Sequence, residues 1–519
     1  MTMRTNGEST SAWLATATMP QFHPLPGPTE TDVCVIGGGI AGLTTAYLLA
    51  REGRKVVLLE AFELASGESG RTTAQFASPD ELYHEIEKSF GEDGARQVAK
   101  SFKSATDLAE AIVMREQIDC GFERLDGYLY CEPGQDSEVP KLEEAAARRA
   151  GAEVALLPRV PDLSFDTGTC VRYGGLAQLH PVRYLAGLAL ACQRLGVTIH
   201  CGTRALELEG DAGRQVVKTE QGDVQAAAVV VATNTPFNTL MAMHTKQAGY
   251  RTYVIGVEVP ARSVPRILLW DTGDPYYYTR LAGASLTDTD PRSPSDLLIV
   301  GGADHKVGQD DHPEHRYAQI EQWVRKRFPS AGKVAYRWSG QVMEPSDGVA
   351  YFGRSPGADA NCYLITGDSG NGMTHCSAGA IAVTDMIMGR RNEWADLYDP
   401  SRKPLHGKVD FLHEQANTLA QYKDLLTGGD VKGVDQIPPG QGAVIRQGLK
   451  KLAVYRDEAA SLHVCSAVCT HLGCIVAWNP AERSWDCPCH GSRFGIDGDV
   501  LHGPAATPLS PERVGDAAT

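Results

Sequence analysis

The chain has no apolar run of the roughly 18 residues that a transmembrane helix requires, so no integral membrane segment is expected. Its first 30 residues contain four prolines and no basic segment followed by an apolar one, so no secretory signal is expected either. Positive charge is scarce, since 49 Lys and Arg residues face 64 Asp and Glu residues, a net charge of −15. Such a chain is not expected to bind nucleic acid through its overall charge. We therefore expect a cytoplasmic protein without a nucleic-acid partner.

The composition is that of folded globular domains, with 42% apolar and 22% charged residues among 519. A chain of this length is expected to form about two to four domains. Eight of the 13 cysteines are scattered before residue 400, as is typical of reduced cytosolic thiols. The other five lie between Cys465 and Cys489, and this cluster requires a separate explanation.

The sequence divides into four regions. Residues 1–30 form a polar lead-in, and residues 31–395 have the composition of one α/β unit. Residues 396–435 are predicted to be a linker with one amphipathic helix, because apolar residues recur there at roughly helical spacing. These residues are Phe411, Leu412, Leu419, Tyr422, Leu425 and Leu426. Residues 436–519 have short β-like runs between turn residues, which predicts a small all-β domain.

A dinucleotide-binding fingerprint begins the second region. A strand, three glycines in the G-x-G-x-x-G positions, a helix, a second strand and an acidic residue follow one another: Asp32–Ile36, Gly37, Gly39, Gly42, Leu43–Glu52, Val56–Leu59 and Glu60. The glycines allow the backbone to approach a pyrophosphate at the helix N-terminus, and the acid can accept a hydrogen bond from a ribose hydroxyl. This fingerprint alone does not separate FAD from NAD.

Four later segments resemble the superfamily of D-amino-acid oxidase, glycine oxidase and sarcosine oxidase. Residues 65–74 are similar to its second flavin loop, residues 229–234 to its later strand and turn, and residues 347–353 and 366–374 to its C-terminal flavin loops. Asn234 stands where the family usually has glycine. The resemblance implies FAD as the cofactor, bound by a Rossmann-like α/β domain into which an α+β substrate domain is interleaved.

The same resemblance implies the segments of each domain and the residues that contact FAD. The nucleotide-binding segments would be about 31–80, 172–240 and 340–395, and the substrate-domain segments about 81–171 and 241–339. Beyond the fingerprint, the implied FAD contacts are Ala61, Arg71, Thr72, Thr73, Ala74, Ala205, Ala232, Thr233, Gly367, Gly370, Asn371, Gly372, Met373 and Thr374, together with Ile40 and Ala41 at the start of the first helix. The loop with Gly367, Gly370 and Gly372 leads into a predicted helix N-terminus, which would suit the electron-rich edge of a reduced flavin. A plain helix-entry turn is the alternative.

Two cysteines and two histidines lie on two predicted loops near the C-terminus. They are Cys469 and His471, separated by one residue, and, after fifteen intervening residues, Cys487 and His490, separated by two. Two thiolates and two imidazoles can hold the two irons of a [2Fe–2S] cluster, while a Cys₂His₂ zinc site is the alternative. Each loop has a further cysteine beside glycine or proline turns, which favours the iron–sulphur interpretation.

The sequences C-T-H-L-G-C and C-P-C-H-G-S in these loops resemble the Rieske family. The resemblance implies a disulfide between Cys474 and Cys489, a hydrogen bond from Ser492 to the cluster, and a lid at residues 503–505. Phe494 stands where high-potential members have tyrosine, so we predict a lower reduction potential for this chain. A Rieske oxygenase is not expected, since only 29 residues follow His490, too few for a mononuclear iron domain.

Together the two ends predict an oxidoreductase in which FAD takes a hydride from the C–N bond of an amine or amino acid. Electrons would then pass one at a time to the Rieske cluster and on to an unidentified external acceptor. An electron-transfer component fed by NAD(P)H is the first alternative, although a single dinucleotide fingerprint disfavours it. A redox-sensing or scaffold protein that retains its cofactors without turnover is the second.

Candidate catalytic residues are few. Residues 276–280 are predicted to form a strand, on which Tyr278 and Arg280, or else Tyr277, would face the flavin, with Arg280 holding a substrate carboxylate. His375 follows the last flavin loop and is a candidate for a place near the isoalloxazine; His305 is a weaker candidate of the same kind. The alternative for each is a structural role in the core, and we expect His180 to be structural.

Overall fold

The computed structural model describes residues 7–131, 138–211, 213–238, 243–282, 295–310, 312–357, 361–403 and 427–514. The helices are α1 Ala12–Thr16, α2 Ile40–Arg51, α3 Tyr83–Glu116, α4 Val139–Ala150, α5 Pro181–Arg194, α6 His315–Arg327 and α7 Gly372–Ile387, and 3₁₀ turns occur at Glu68–Gly70 and Val434–Gln436. In the described part of the chain, no helix combines the length and the apolar character needed to cross a bilayer.

The strands before residue 370 are β1 Thr29–Ile36, β2 Val56–Leu59, β3 Gln75–Phe76, β4 Glu123–Tyr130, β5 Val154–Leu157, β6 Cys170–Gln178, β7 Thr198–His200, β8 Ala205–Asp211, β9 Arg214–Thr219, β10 Val224–Val231, β11 Gln247–Pro260, β12 Leu268–Asp271, β13 Tyr277–Ala282, β14 Ser295–Lys306, β15 Val334–Pro345, β16 Tyr351–Arg354 and β17 Cys362–Thr366. The strands after it are β18 Gln441–Gln447, β19 Lys450–Arg456, β20 Leu462–Ser466, β21 Ala477–Asn479, β22 Ser484–Asp486, β23 Arg493–Phe494 and β24 Val500–His502.

An eight-stranded sheet holds the predicted fingerprint. Its parallel strands lie in the order β17, β10, β1, β2 and β7, with β16 antiparallel at one edge and the β8–β9 hairpin beside β10. Val33 and Val35 of β1 pack into the core shared with α2 and α7, whereas Cys34 and Ile36 pack on the opposite face, as strand alternation requires. Both faces are therefore covered, as expected for a parallel sheet.

A nine-stranded sheet forms the second half of the α/β region. Its order is β15, β11, β14, β13, β12, β4, β6 and β3, with β5 paired to β6. Strands β6 and β15 run through residues 172 and 340, and β3 lies before residue 80, so the nine-stranded sheet extends into all three segments that we predicted to be nucleotide-binding. Strand continuity depends on long-range pairing, which local composition does not reveal.

The C-terminal part is all-β, as predicted. Strands β18, β19 and β20 form one antiparallel sheet and β21 to β24 a second. Their shared core contains Tyr455, Trp485 and Phe494. The fold class is therefore the predicted one, an interleaved α/β unit followed by a small all-β domain. The amphipathic helix expected around residues 411–426 lies outside the described residues.

Candidate functional site

A cavity of about 750 Å³ lies between the two large sheets. Most of the predicted FAD contacts line it: Gly37, Gly39, Ile40, Ala41, Glu60, Ala61, Arg71, Thr72, Thr73, Ala205, Ala232, Thr233, Gly370, Asn371 and Gly372. Of the predicted catalytic residues, Tyr278 and His375 line it as well. Residues from distant parts of the chain thus meet around one space, with the size typical of a ligand site.

Five predicted contacts lie behind the cavity wall rather than on it: Gly42, Ala74, Gly367, Met373 and Thr374. A Cβ atom at position 42 would lie 1.8 Å from the carbonyl oxygen of Gly37. This glycine therefore lets α2 approach the glycine-rich turn closely and does not have to touch a ligand.

The fingerprint has the geometry that a dinucleotide needs. Gly37 has φ +112°, and a Cβ atom there would lie 2.3 Å from the Ala232 carbonyl oxygen, so a side chain would not fit. The carboxylate of Glu60 is fixed by the backbone N–H groups of Gly38 and Phe62, at 2.7 and 2.9 Å. The open backbone beside a fixed carboxylate fits the adenosine half of FAD.

Arg280 does not have the role predicted for it. Its guanidinium is fully buried and donates to the carbonyl oxygens of Thr73, Ala74 and Leu179, at 2.8, 2.7 and 3.0 Å. It also lies 5.1 Å from the Trp13 ring. This corrects the prediction that Arg280 holds a substrate carboxylate, because its side chain clamps the backbone of the second flavin loop and does not line the cavity.

The remaining candidates divide between cavity and core. The hydroxyl of Tyr278 shares a hydrogen bond with Thr252 at 2.9 Å, and His375 contacts the Asp368 carbonyl oxygen through Nδ1 at 2.8 Å. Burial lowers the pKa of His375 to about 4, so the imidazole is neutral at physiological pH. Tyr277 stacks on Trp323 in the core.

His305 and His180 have structural contacts. The imidazole of His305 hydrogen bonds to the Tyr253 hydroxyl at 3.0 Å, and neither histidine lines the cavity. His180 is the N-cap of α5 and accepts from the Arg183 N–H.

Sequence reasoning missed an acidic wall, formed by Asp80, Asp304 and Glu344, which all line the cavity. Burial and the neighbouring carboxylates raise the pKa of Asp80 and of Glu344 to about 8, and burial raises the pKa of Asp304 to about 6. Asp80 and Glu344 lie just outside the quoted flavin-loop segments. Their closeness to those loops in sequence is the one feature that could have identified them.

The four predicted metal ligands, Cys469, His471, Cys487 and His490, come together in the C-terminal domain. The two imidazole rings are 5.0 Å apart, and burial lowers the pKa of each to about 4. Both ring nitrogens of His471 are buried without a hydrogen-bond partner among the described residues. Two neutral imidazoles, one of them with both nitrogens unused, beside two buried thiols fit the ligands of a [2Fe–2S] cluster.

The two loops are joined by the predicted disulfide, between Cys474 and Cys489. Ser492 is fully buried in the same site, and its hydroxyl accepts from the N–H of Ala505 at 3.1 Å. The lid residues therefore attach directly to the loop that supplies Cys487.

The C-terminal domain closes the cavity. Its residues His502, Gly503 and Ala505 are part of the cavity wall. Gln341 lines the same cavity and donates through Nε2 to the carbonyl oxygen of Gly491, at 2.9 Å, next to a predicted iron ligand. The predicted flavin site and the predicted cluster site are thus neighbours within one chain.

His244 contacts the histidine end of the cluster site from the α/β region. Its ring lies 4.6 Å from that of His471 and 5.6 Å from that of His490. The α/β region therefore directly covers the imidazoles of the two predicted histidine ligands.

A buried charge cluster fastens the two parts together. Glu482 of the C-terminal domain pairs with Arg71 at 3.5 Å and Arg251 at 3.4 Å, and all three side chains are fully buried. Burial alone would raise the pKa of Glu482, but the arginines outweigh it and hold the pKa at about 2. Arg71 also donates to the Ser9 and Ser339 carbonyl oxygens, so it joins the N-terminal segment to this cluster in addition to lining the cavity.

Two family models match the chain. The model described as FAD dependent oxidoreductase matches residues 32–386, and that of the Rieske [2Fe-2S] domain matches residues 429–512. Because the first covers more than half of the chain, the protein belongs to the FAD-dependent oxidoreductase family, and it carries a C-terminal Rieske domain. Its cofactors are FAD and a [2Fe–2S] cluster, which confirms both predictions over the NAD and zinc alternatives.

Some of the similar proteins match nearly the whole chain, and others match only its first part or only its Rieske part. YhfW of Bacillus subtilis (strain 168), assigned as a Rieske 2Fe-2S iron-sulfur protein, is 30% identical over 506 residues, which cover 96% of each chain. The gamma-glutamylputrescine oxidoreductase of Escherichia coli (strain K12) is 27% identical over 397 residues, covering 74% of this chain and 90% of the relative. The crystal structure of glycine oxidase from Geobacillus kaustophilus aligns with a TM-score of 0.58 at 18% identity, covering 72% of this chain and 99% of that one, which supports the fold.

Proposed function

We propose that the protein oxidises the C–N bond of an amine or amino acid and delivers the electrons through its Rieske domain to an external acceptor. When bound, FAD supplies hydride acceptance and the [2Fe–2S] cluster supplies one-electron transfer. The main support is that His502, Gly503 and Ala505 of the Rieske domain line the same cavity as the predicted FAD contacts. A domain that closes the flavin site is well positioned to collect its electrons.

The cavity also contains groups that amine oxidation requires. An ammonium ion must lose a proton before its carbon releases hydride, because only the neutral nitrogen has the lone pair that forms the C=N bond. Asp80 and Glu344 are the candidate proton acceptors: burial and neighbouring acids raise the pKa of each to about 8, so the ionised form of either carboxyl group is a stronger base than an ordinary carboxylate and is populated as the pH approaches 8. The name of the Escherichia coli relative, a gamma-glutamylputrescine oxidoreductase, also supports an amine substrate.

Short contacts between the two regions support electron transfer within one chain. Gln341 extends from the cavity wall to the Gly491 carbonyl oxygen, and His244 contacts both imidazole ligands of the cluster site. The external acceptor, whose identity the sequence does not give, would then have to reach the cluster through the Rieske domain's remaining surface. The predicted cytoplasmic location is part of the same proposal.

An anaerobic titration of the purified holoprotein tests this function. Amines, amino acids and NADH are added separately while flavin and cluster absorbance are followed. We expect at least one amine or amino acid to bleach the flavin and NADH to leave it oxidised. Bleaching by NADH alone would instead establish the electron-transfer component, and bleaching only by dithionite would show that the protein does not oxidise this class of substrate.

A further inference from the structure

The acidic wall (Asp80, Asp304 and Glu344) is assembled from three separate elements. Asp304 lies in β14, Glu344 in β15, and Asp80 in the segment between β3 and α3. The three carboxyl groups are close enough that Asp304 and Glu344 each interact electrostatically with Asp80. Three acids converging on one cavity are costly to ionise together, unless positive charge lies between them.

Protein donors satisfy only part of this wall. The hydroxyl of Tyr276 donates to Oδ2 of Asp304 at 3.0 Å, and that of Ser369 donates to Oε2 of Glu344 at 2.8 Å. Oδ1 of Asp304 is buried and has no hydrogen-bond partner in the described part of the chain. Both donors are neutral, so they do not offset the negative charge that the wall would carry when its acids ionise, and the orphaned oxygen indicates a missing donor.

The cationic side chains that line the described cavity are engaged elsewhere. Arg71 pairs with Glu482, at 3.5 Å. Arg204 lies 4.9 Å from the Phe62 ring and donates to the Val500 carbonyl oxygen at 3.2 Å. Outside the cavity wall, Arg316 acts electrostatically on Asp304 but pairs with Asp310 at 2.7 Å. The positive charge that would let the acids of the wall ionise together is therefore expected to come from a ligand.

We propose that the substrate is an aliphatic diamine, whose second, protonated nitrogen is held by the acidic wall while the first is oxidised. This inference rests on the proposed function. The reacting nitrogen has to be neutral when hydride leaves its carbon, so its own charge cannot hold the substrate at that moment. A second ammonium group keeps its charge throughout and supplies the donor that Asp304 lacks.

The step balances with FAD as the two-electron oxidant. The reacting ammonium gives one proton to a carboxylate of the wall. The adjacent C–H bond then breaks, its electron pair and hydrogen leave as hydride to FAD, and the nitrogen lone pair forms the C=N bond. Water adds to this iminium and releases ammonia, leaving an amino aldehyde. An α-amino acid would instead bring its carboxylate towards three acids, which repel it.

Three ligands with four carbon atoms each separate the possibilities on the wild-type holoprotein: 1,4-diaminobutane, butylamine and 4-aminobutanoate. Binding is measured anaerobically by thermal shift, and flavin bleaching is recorded separately. We expect the diamine to bind at least about tenfold more tightly than butylamine, and 4-aminobutanoate to bind most weakly. Equal binding of diamine and butylamine would overturn the diamine proposal, whatever the bleaching shows. Preferred binding of the diamine, with no bleaching by any amine, would show that the wall binds a diamine but would overturn the proposed oxidation and, with it, the diamine as substrate.

Matched variants test whether the acidic wall holds the second nitrogen of the diamine. Asp304→Asn removes a charge of the wall and is expected to weaken diamine binding by about 10- to 100-fold while changing butylamine binding little. Asp396→Asn, at an exposed position outside the cavity, is expected to change neither. An unchanged diamine preference in a folded Asp304→Asn protein would place the second nitrogen elsewhere and contradict the proposal. Glu344→Gln provides the same comparison at a second acid.

Discussion

The two cofactor regions of this protein are built on opposite principles. The predicted FAD contacts are spread from Gly37 to Thr374, and many act through glycines that let the backbone approach a ligand. The four predicted ligands of the cluster site come from only 22 residues, between Cys469 and His490, and each would act through a side-chain atom. A site made of backbone tolerates the loss of one contact, whereas a site made of four ligand atoms does not.

The largest effect expected from this difference is the complete loss of the cluster when one ligand is replaced. Cys487→Ser removes one of the ligand thiols and should abolish iron and acid-labile sulphide, because a hydroxyl is a poor substitute for thiolate. FAD content and substrate-driven flavin bleaching should persist, since no predicted FAD contact changes. Metal analysis and visible spectra of the purified variant measure both.

Cys465→Ser is the matched control for that variant. Cys465 is a buried cysteine of the same domain, but it is not one of the predicted ligands. The variant should keep the full cluster. Loss of FAD from Cys487→Ser, with Cys465→Ser unaffected, would show that the two regions are not independent sites.

The joint between the regions should show the next largest effect. Glu482→Gln leaves the buried Arg71 and Arg251 without their carboxylate, and breaking such a pair destabilises by about 3–5 kcal/mol. Chemical denaturation should therefore show the Rieske domain separating or unfolding earlier. The exposed Glu458→Gln should change stability by less than about 0.5 kcal/mol. Equal stability of the two variants would show that the charge cluster does not hold the two regions together.

Acid should weaken the same joint. The folded pKa of Glu482 is about 2, below the 4.5 of a free glutamate, so its ionised form is favoured by folding. That contribution, about 3 kcal/mol, is complete above pH 4.5 and is lost as the pH falls towards 2. The wild type should therefore lose more stability than Glu482→Gln over this interval in acid denaturation. Equal losses of stability in the wild type and in Glu482→Gln would contradict the assignment of this acid sensitivity to Glu482.

The contribution of the cavity to folding stability should depend on pH in the opposite direction. The folded pKa of Glu344 is about 8, above the 4.5 of a free glutamate, so folding favours its protonated form. Its contribution is complete below pH 4.5 and is lost as the pH rises through 8. Glu344→Gln removes this titrating group, so the free energy of unfolding should change less between pH 4.5 and 8 than it does in the wild type.

The smallest effect concerns the tuning of the cluster. Phe494→Tyr would restore the hydroxyl that the Rieske resemblance associates with high potential. One added hydrogen bond of about 1 kcal/mol favouring the reduced form corresponds to roughly 40 mV for one electron. A redox titration followed by electron paramagnetic resonance measures the shift, and Phe494→Leu controls for repacking at this buried position. A tyrosine variant with an unchanged potential would separate Phe494 from the tuning of the cluster.

The ease of prediction also differed between the regions. The strand, glycine turn and helix at residues 32–51 and the Rieske motifs around Cys469 and Cys487 depend on local spacing, so the sequence indicated both the nucleotide-binding fold and the Rieske domain. Glu482 pairs with Arg71, which lies far earlier in the chain, and the acidic wall joins residues from three separate elements. No local sequence pattern indicates contacts of this kind. Arg280 was misassigned for the same reason, because its carbonyl partners are supplied by the second flavin loop and by Leu179.

Rapid mixing under anaerobic conditions tests the central claim most directly, namely that one chain passes electrons from an amine to its own Rieske cluster. An amine that bleaches the flavin is mixed with holoprotein at several protein concentrations, and samples are frozen for electron paramagnetic resonance. The account predicts the reduced-cluster signal after flavin bleaching, with a rate that is independent of protein concentration. A cluster that stays oxidised, or is reduced only at a rate rising with protein concentration, would contradict it.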